Sequence, residues 1–320
     1  MSRPWVDVFL FNGEVEMLRY RLALHAAIFH HTLIVEADYT HSGISKPFFV
    51  YRWLTRHELA ARHITVLETP MALAELNTTT ANWKGNTVRE KAQRRMINQH
   101  LALHFSDHIV YVSDIDELLD PIVAVHGGVK IRPCLVPALR LSFYFESCQF
   151  PHPWSMSVLI NTSESRIRSL LNKTDTQLRR GWGTPWDDLC GSTKVQPWGW
   201  HYPEITWQGW HMTLAMSTPE ILRKMRSTSH AQDPESRRVL DMPRPAGVVD
   251  QAALNCLDIW KRKRHRRTIP YDLHALRLRQ NPGRLPPVLG WPRHPLAPPL
   301  QLTLAAGTPG DHLTNYSSLH

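Results

Sequence analysis

Cysteine and long apolar runs are what this chain has least of. It has 4 Cys in 320 residues, and no pair shows C-x-x-C spacing, so neither a disulfide framework nor a zinc site is indicated. No apolar run approaches the ~18–20 residues that a membrane-spanning helix needs. The first residues, Met-Ser-Arg-Pro-Trp-Val-Asp, lack the apolar core of a signal peptide. These absences predict a soluble, cytoplasmic protein with buried free thiols and no transmembrane anchor.

Apolar and basic residues, by contrast, are plentiful. The chain is 42% hydrophobic and contains 12 Trp, which is typical of a folded globular protein with a sizeable core. Lys and Arg (37) outnumber Asp and Glu (28), which gives a formal net charge of +9. This excess suits an anionic partner, and a nucleotide sugar, a nucleic acid or an acidic membrane surface would each qualify.

Segments with strand patterns alternate with segments that have helical patterns. Residues 14–27 and 87–104 carry apolar side chains at helical spacing. Short apolar, β-branched runs lie at 5–11, 32–37, 64–67, 108–113 and 138–145. The alternation predicts an α/β fold with a mostly parallel central sheet flanked by helices. Ligands of such sheets bind beyond the carboxyl ends of the strands.

Two aspartates follow the fourth of these runs. Asp114 and Asp116 lie two residues apart, so an extended chain would present both carboxylates on one side, roughly 6–7 Å apart at Cα. Two carboxylates this close repel each other and favour a cation between them. Oxygen ligands select a hard ion such as Mg²⁺ or Mn²⁺, which suits an enzyme that holds a diphosphate. The alternative is a solvated acidic turn.

The later regions differ from the first part of the chain. Residues 146–215 are rich in Trp, Gly and Pro, which predicts loops and short strands. Residues 216–230 predict a helix with Ser217 or Thr218 as N-cap and Pro219 in its first turn. After a basic run at 260–267, the chain is dense in Pro. We therefore predict a folded domain over residues 1–279 and a loosely ordered tail over 280–320.

Several segments, taken in order, resemble the motifs of one enzyme family. They are Asp7-Val-Phe-Leu-Phe-Asn12, Val35-Glu36-Ala37 with Ser42-Gly43 and Lys46-Pro47, Arg89-Glu-Lys-Ala-Gln-Arg94, Ser113-Asp-Ile-Asp-Glu117, Gly209-Trp210-His211 and Ser229-His230. The family is glycosyltransferase family 17, whose best-known members are β-1,4-mannosyl-glycoprotein 4-β-N-acetylglucosaminyltransferases. The sequence departs from it at Phe143-Tyr144-Phe145-Glu146 and by an apparent insertion between residues 181 and 206, which leaves the acceptor open.

The resemblance implies a GT-A-like nucleotide-sugar-binding fold, with residues 1–279 as the catalytic domain. It implies inverting transfer of a sugar from a UDP-sugar donor, UDP-GlcNAc in particular, to a glycan hydroxyl, assisted by Mn²⁺ or Mg²⁺. Asp116 would hold the ion, and Asp114 would lie nearer the ribose or the waters on the metal. His211 would be a third metal ligand or an acceptor contact.

Four further residues are candidates for donor binding. Asn12 and Glu36 close the first two strands at the same sheet edge. Glu36 would hydrogen-bond the uracil or ribose, or else cap the turn that follows it. Lys46 could reach a phosphate from its loop. Arg89 borders the apolar stripe of its helix, and its fork of donors suits a phosphate or a carboxylate.

An inverting transfer also needs a carboxylate that takes the proton of the acceptor hydroxyl. The candidates are Glu146, Asp187, Asp188, Glu204, Asp233 and Asp250. We favour Asp250, because it follows the short apolar pair Val248-Val249. Glu117 would assist catalysis by binding the waters on the metal, or would pair with Arg89.

Two other functions compete with sugar transfer. The basic run at 260–267 could bind nucleic acid through its phosphates, but the rest of the chain shows no recognition motif, so we expect no specific nucleic-acid partner. A carbohydrate-binding protein without catalysis is the other alternative. The pair Asp114 and Asp116 argues against it, because stacking on sugars needs no divalent ion.

Overall fold

The structure, a computed structural model, describes residues 3–70, 83–121, 134–135, 139–142, 148–154, 157–163, 209–255, 257–259 and 269–270. The predicted Pro-rich tail, the basic run at 260–267 and the Trp-rich stretch from 164 to 208 lie outside these residues. Four of the candidate bases also lie outside them: Glu146, Asp187, Asp188 and Glu204.

Strands and helices alternate through the first part of the described chain, as predicted. The strands are β1 (Trp5–Phe11), β2 (His31–Ala37), β3 (Ile64–Thr69), β4 (Ile109–Asp114), β5 (Glu117–Leu119), β6 (Cys134–Leu135), β7 (Leu139–Ser142), β8 (Cys148–Trp154), β9 (Val158–Asn161), β10 (Gly209–Met212) and β11 (Ile269–Pro270). The helices are α1 (Val15–His25), α2 (Val50–Trp53), α3 (Arg56–Ala61), α4 (Trp83–His104), α5 (Thr218–Ser227), α6 (Pro234–Leu240) and α7 (Pro245–Leu254). Within the part that the structure describes, no helix combines the length and the apolar character that crossing a bilayer requires.

The central sheet has the strand order β3-β2-β1-β4-β9-β6. Its first four strands are parallel, whereas β9 pairs antiparallel with both β4 and β6. In this register Leu10 of β1 pairs with Val35 of β2 and with Asp114 of β4. The α/β fold with a mostly parallel central sheet is therefore confirmed, and the carboxyl ends of β1, β2 and β4 lie side by side.

Both faces of this sheet are buried, which explains the nearly continuous apolar runs of its strands. Alternate residues of β1 point to opposite faces. Phe9 and Phe11 pack with Leu18 of α1, and Val8 packs on the other face with Ile97 of α4. The core thus fixes α1 and α4 against the sheet, and with them the loops at its carboxyl edge.

A second sheet, with the strand order β11-β8-β7-β10-β5, continues from the first. It corrects one expectation: the described part of the apolar run at 138–145 is β7 (Leu139–Ser142), which belongs to this sheet and not to the central one. The run of alternating residues could not show which sheet it joins, because that depends on β10, about seventy residues further on. The predicted helix at 216–230 is confirmed as α5, with Ser217 as N-cap and Pro in its first turn.

Candidate functional site

Strand β4 ends at Asp114, and the next two residues turn the chain into β5. Asp116 therefore lies in the turn and not on the strand edge where the sequence placed it. The turn is closed by a hydrogen bond from the main-chain N–H of Asp114 to Oε2 of Glu117, 2.8 Å long. As a result, the side chain of Asp114 is 45% exposed while that of Asp116 is only 5% exposed.

A buried arginine holds this turn from below. Nη1 of Arg21 lies 2.7, 3.1 and 2.9 Å from the carbonyl oxygens of Asp114, Ile115 and Glu117. Its Nε donates to Asp7 at 2.9 Å, and neither side chain is exposed. The Arg21 fork thus satisfies three carbonyls of the turn, while Asp7 neutralises its charge. No local pattern in the sequence predicts this role of Arg21.

The carboxylate of Asp116 has a different partner on each oxygen. Nζ of Lys224 donates to Oδ2 at 2.7 Å, and Nε2 of His211 lies 3.5 Å from Oδ1. A second carboxylate, that of Glu14, is 3.8 Å from the same ammonium. Burial alone would raise the pKa of Asp116, but the charge of Lys224, together with His211, holds it well below its usual range. Asp116 is therefore an anion at neutral pH.

Strand pairing brings His211 to this carboxylate. Strand β10 runs antiparallel to β5, with His211 opposite Glu117. The main-chain N–H of Met212 donates to the carbonyl of Asp116 at 2.7 Å, which continues the pairing into the turn. The Gly-Trp-His motif thus reaches the aspartate turn although it lies about ninety residues later in the chain.

Helix α5 brings Lys224, which the sequence analysis missed. Ile221 and Met225 of this helix are buried, and Lys224 lies between them at the edge of that apolar face. Arg223 donates to the carbonyl of Gly13 in the turn after β1. Gly13 has φ +100°, and a Cβ there would approach Arg223 Nη1 to 2.6 Å. The helix is therefore seated closely on the turn. A lysine at the border of an apolar stripe was the one available signal.

Asp114 is paired with an arginine of α4. Its Oδ1 is 2.5 Å from Nη2 of Arg94, which also lies 2.9 Å from Glu90. The sequence predicted that Glu90 and Arg94 lie on a helix, but it did not predict that Arg94 contacts the residue at the end of β4. The nearest cation of Asp114 is thus Arg94, whereas that of Asp116 is Lys224.

Glu36 shows the second of the two roles that the sequence left open for it. Its carboxylate accepts the main-chain N–H groups of Phe49 and Val50 at 2.7 and 3.0 Å, which caps the start of α2. It also accepts from Nζ of Lys46 at 2.7 Å. Both partners are buried, with 0% and 6% side-chain exposure. In this arrangement the two residues stabilise the loop after β2, and their predicted contacts with the donor stay predictions.

Asn12 and Arg89 hold other loops at the same sheet edge. Nδ2 of Asn12 donates to the carbonyl of Ser227 at 3.3 Å and thereby ties the end of β1 to the end of α5. Nη1 of Arg89 donates to the carbonyl of His41 at 3.3 Å. A Cβ on Gly43, where φ is +89°, would lie 2.7 Å from Cζ of Arg89. Asn12 thus lies at the carboxyl edge, as predicted, Arg89 contacts the loop after β2, and both have structural partners.

The two predicted catalytic carboxylates are not brought together. Glu117 closes the aspartate turn. Asp250 lies on α7, where its Oδ1 accepts from the hydroxyl of Thr218 at 2.5 Å. Thr218 begins α5, about 9 Å along the helix axis from Lys224 by the rise per residue. The apolar pair before Asp250 belongs to a helix and not to a strand leading into the site, so the reason for favouring it does not hold.

The residues around Asp116 fit a divalent ion in part. Among the described residues, no three His, Cys, Asp or Glu side chains form a metal-binding group, so the predicted trio of Asp114, Asp116 and His211 is not assembled. Oδ1 of Asp116 and Nε2 of His211, 3.5 Å apart, are nevertheless close enough to share one cation. Mg²⁺ or Mn²⁺ commonly takes one or two protein ligands and completes its shell with water and substrate phosphate. The pair fits such an ion.

The fold and the site define an α/β protein with an acidic cluster at the carboxyl edge of parallel strands. The sequence model of glycosyltransferase family 17 matches residues 1–166, just over half of the chain, so the chain belongs to this family. The predicted family is confirmed. The matched part contains the aspartate turn, whereas His211 and Lys224 lie beyond it. No curated protein matches the chain.

Solved structures that match include two of the glycosyltransferase GlyE from Streptococcus pneumoniae TIGR4. Both are 10% identical; one covers 53% of this chain and 37% of GlyE with a TM-score of 0.26, and the apo form covers 60% and 43% with a TM-score of 0.30. The galactosyltransferase LgtC, in complex with donor and acceptor sugar analogs, is 13% identical and covers 72% of this chain and 81% of LgtC with a TM-score of 0.29. The chain thus spans less than half the length of the GlyE structures.

Proposed function

We propose that this protein transfers a sugar from a nucleotide-sugar donor to an acceptor hydroxyl at the aspartate turn. The observation that carries the proposal is the convergence of Asp116, His211 and Lys224 at the carboxyl end of β4, in a chain of this family. The resemblance to family members further supports UDP-GlcNAc as the donor, a glycan as the acceptor and inversion at the anomeric carbon.

The reaction breaks the bond between the anomeric carbon and the β-phosphate oxygen, and the electron pair remains on that oxygen. The acceptor oxygen bonds to the carbon from the opposite face and releases its proton to a base. Asp116 and His211 would hold the divalent ion, which supplies Lewis-acid stabilisation of the departing diphosphate. Asp114, which is 45% exposed, is the carboxylate in this cluster that a ribose hydroxyl can reach from solvent.

The test is release of UDP from a panel of nucleotide sugars, with and without Mn²⁺, by wild type and by Asp116→Asn. We expect UDP-GlcNAc to be the best donor, EDTA to lower the rate, and Asp116→Asn to lower it by at least about 100-fold, which corresponds to several kcal/mol of lost charge stabilisation.

Asp107→Asn is the matched control, because Asp107 is an exposed carboxylate whose partner is Arg3. It should keep the wild-type rate. If Asp116→Asn also keeps that rate while folded, or if no nucleotide sugar is turned over, the proposed function is wrong.

A further inference from the structure

Helix α5 places a lysine against the carboxylate at the centre of the proposed site. Nζ of Lys224 is 2.7 Å from Asp116 and 3.8 Å from Glu14, and its side chain is 14% exposed. We propose that Lys224 is a second, permanent cation of this site and that it binds the diphosphate of the donor directly. The inference rests on the proposed function and makes Lys224 a catalytic residue, since it would touch the leaving group.

Contacts other than the ion pair also position Lys224. Around it, α5 is anchored by the buried side chains of Ile221 and Met225 and by Arg223, which donates to a carbonyl in the turn after β1. The carbonyl of Ser227 accepts from the main-chain N–H of Ser42 at 3.1 Å. These contacts seat the helix on both sides of the lysine. The packing of the helix therefore contributes to placing the ammonium beside Asp116, in addition to the ion pair itself.

The two oxygens of the Asp116 carboxylate contact different partners, and this arrangement puts the ammonium of Lys224 beside the proposed position of the donor. Oδ1 faces His211 and Oδ2 faces Lys224, so one carboxylate orients an imidazole on one side and an ammonium on the other. A phosphate that meets a cation held at Oδ1 would lie beside the ammonium at Oδ2. An ammonium has three donors, and among the described residues only Asp116 lies within hydrogen-bond distance of it.

The charge of Lys224 is secure in this environment. Burial alone would lower its pKa, but the carboxylates of Asp116 and Glu14 outweigh that effect and raise it. The lysine is thus fully protonated at neutral pH. It can stabilise the negative charge that develops on the β-phosphate oxygen as the bond to the sugar breaks, and no proton transfer is needed.

A second buried pair of a lysine and a carboxylate in this chain offers a comparison. Lys46 is 2.7 Å from Glu36 and 6% exposed, and Glu36 also accepts two main-chain N–H groups. That carboxylate is fixed from three directions by its own loop. Asp116, by contrast, has side-chain partners from α5 and β10, and its lysine is more open to solvent. The difference favours a ligand-binding role for Lys224.

The test is UDP binding by calorimetry, in EDTA and in Mn²⁺, to wild type, Lys224→Met and Arg226→Met. Arg226 is exposed on the same helix, so its replacement removes the same charge without touching the site. Because a hydrogen bond to a charged group is worth about 1.5–3 kcal/mol, Lys224→Met should weaken UDP binding roughly 10- to 100-fold, with EDTA and with Mn²⁺, and slow UDP release from the donor. Uridine, which has no diphosphate, should bind both proteins equally. Arg226→Met should match wild type.

A second pair of variants keeps the test open if Lys224→Met does not fold. Asp116→Asn frees the ammonium from its carboxylate, so in EDTA it should bind UDP more tightly than wild type. The double variant Asp116→Asn/Lys224→Met, which removes both charges of the 2.7 Å pair, should lose that gain.

The outcomes separate the two proposals. Equal UDP affinity of wild type and folded Lys224→Met, or an equal loss for UDP and uridine, would overturn the role of Lys224 and leave the transferase intact. A wild-type protein that neither binds UDP nor releases it from any donor would remove both proposals.

Discussion

Two clusters in this molecule have nearly the same chemistry and different surroundings. The first joins Asp7 to Arg21 and His25, with side-chain exposures of 0%, 0% and 2%. The second joins Asp116 to Lys224 and His211, with exposures of 5%, 14% and 9%. Each contains one carboxylate, one permanent cation and one imidazole.

The difference between the clusters lies in how completely each is closed. Arg21 donates its N–H groups to Asp7 and to the carbonyls of the aspartate turn. His25 accepts the main-chain N–H of Leu119. Such a network rigidifies the structure but offers nothing to a ligand. The second cluster includes Asp116 of the turn that Arg21 stabilises, and the side chain of its lysine is partly exposed to solvent. The comparison suggests that composition alone does not distinguish a structural cluster from a functional one, whereas exposure and donor satisfaction do.

Among the variants that test this comparison, replacement of the buried Arg21 should have the largest effect on stability. Arg21→Met leaves Asp7 as a buried charge without its main partner and three carbonyls without a donor, so we expect the free energy of unfolding to fall by about 3–5 kcal/mol. Lys224→Met should cost less, about 1–3 kcal/mol, because Lys224 donates to a single carboxylate, whereas Arg21 donates to Asp7 and to three carbonyls. Urea denaturation measures both losses. Equal losses would mean that the two clusters are the same kind of structure.

Mildly acidic pH should also lower the free energy of unfolding, by a smaller amount than the loss of Arg21. Burial lowers the pKa of His25, and also of His31, His100 and His108, from the ordinary 6.5. The unfolded chain then binds more protons than the folded one below pH 6.5, so stability is complete above that pH and falls as the pH drops. The buried His25 should contribute up to about 1.4 kcal/mol per pH unit, and the three partly exposed imidazoles should each contribute less, because solvent screens them.

Urea denaturation from about pH 7.5 to about pH 5.5 checks this slope. The carboxyls of Asp7 and Asp116 do not contribute in this window, because their pKa values lie below their usual range and their share of stability is lost only in stronger acid. A free energy of unfolding that stays constant or rises toward pH 5.5 would contradict the assignment of neutral, buried imidazoles.

Asp250 should show the smallest effect, since its carboxylate accepts from Thr218 at the start of α5. Asp250→Asn should reduce stability by about 0.5–1.5 kcal/mol and change turnover by on the order of twofold or less. Thermal unfolding and UDP release measure the two effects. A loss of turnover of about 100-fold with unchanged stability would instead make Asp250 the general base.

Much of the fold could be predicted because its signals are local. The strand runs and the stripes of α1 and α4 follow from periodicity within short windows, and the rule for carboxyl ends located the aspartate turn. The extended geometry assumed for Asp114 and Asp116 was wrong, because the chain turns directly after Asp114. That turn depends on Arg21, which lies 93 residues earlier in the sequence.

The rest of the site could not be predicted because it is built from distant segments. Lys224 meets Asp116 across 108 residues, and its neighbours in the sequence show only an amphipathic helix. Arg94 reaches Asp114 from α4 across 20 residues, a contact that helical spacing alone does not predict. For Glu36 the sequence allowed two roles, and the capping role became visible only from the path of the chain at Phe49 and Val50.

The hydrogen bond from Met212 to the carbonyl of Asp116 has a consequence for synthesis on the ribosome. Chains fold from the N-terminus as they emerge, so the parallel strands and the aspartate turn can form long before β10 and α5 exist. A nascent chain that stops at residue 166 would contain the whole segment that the family model matches and still lack the imidazole of His211 and the ammonium of Lys224. Donor-binding competence should therefore appear only when the last of these elements has left the exit tunnel.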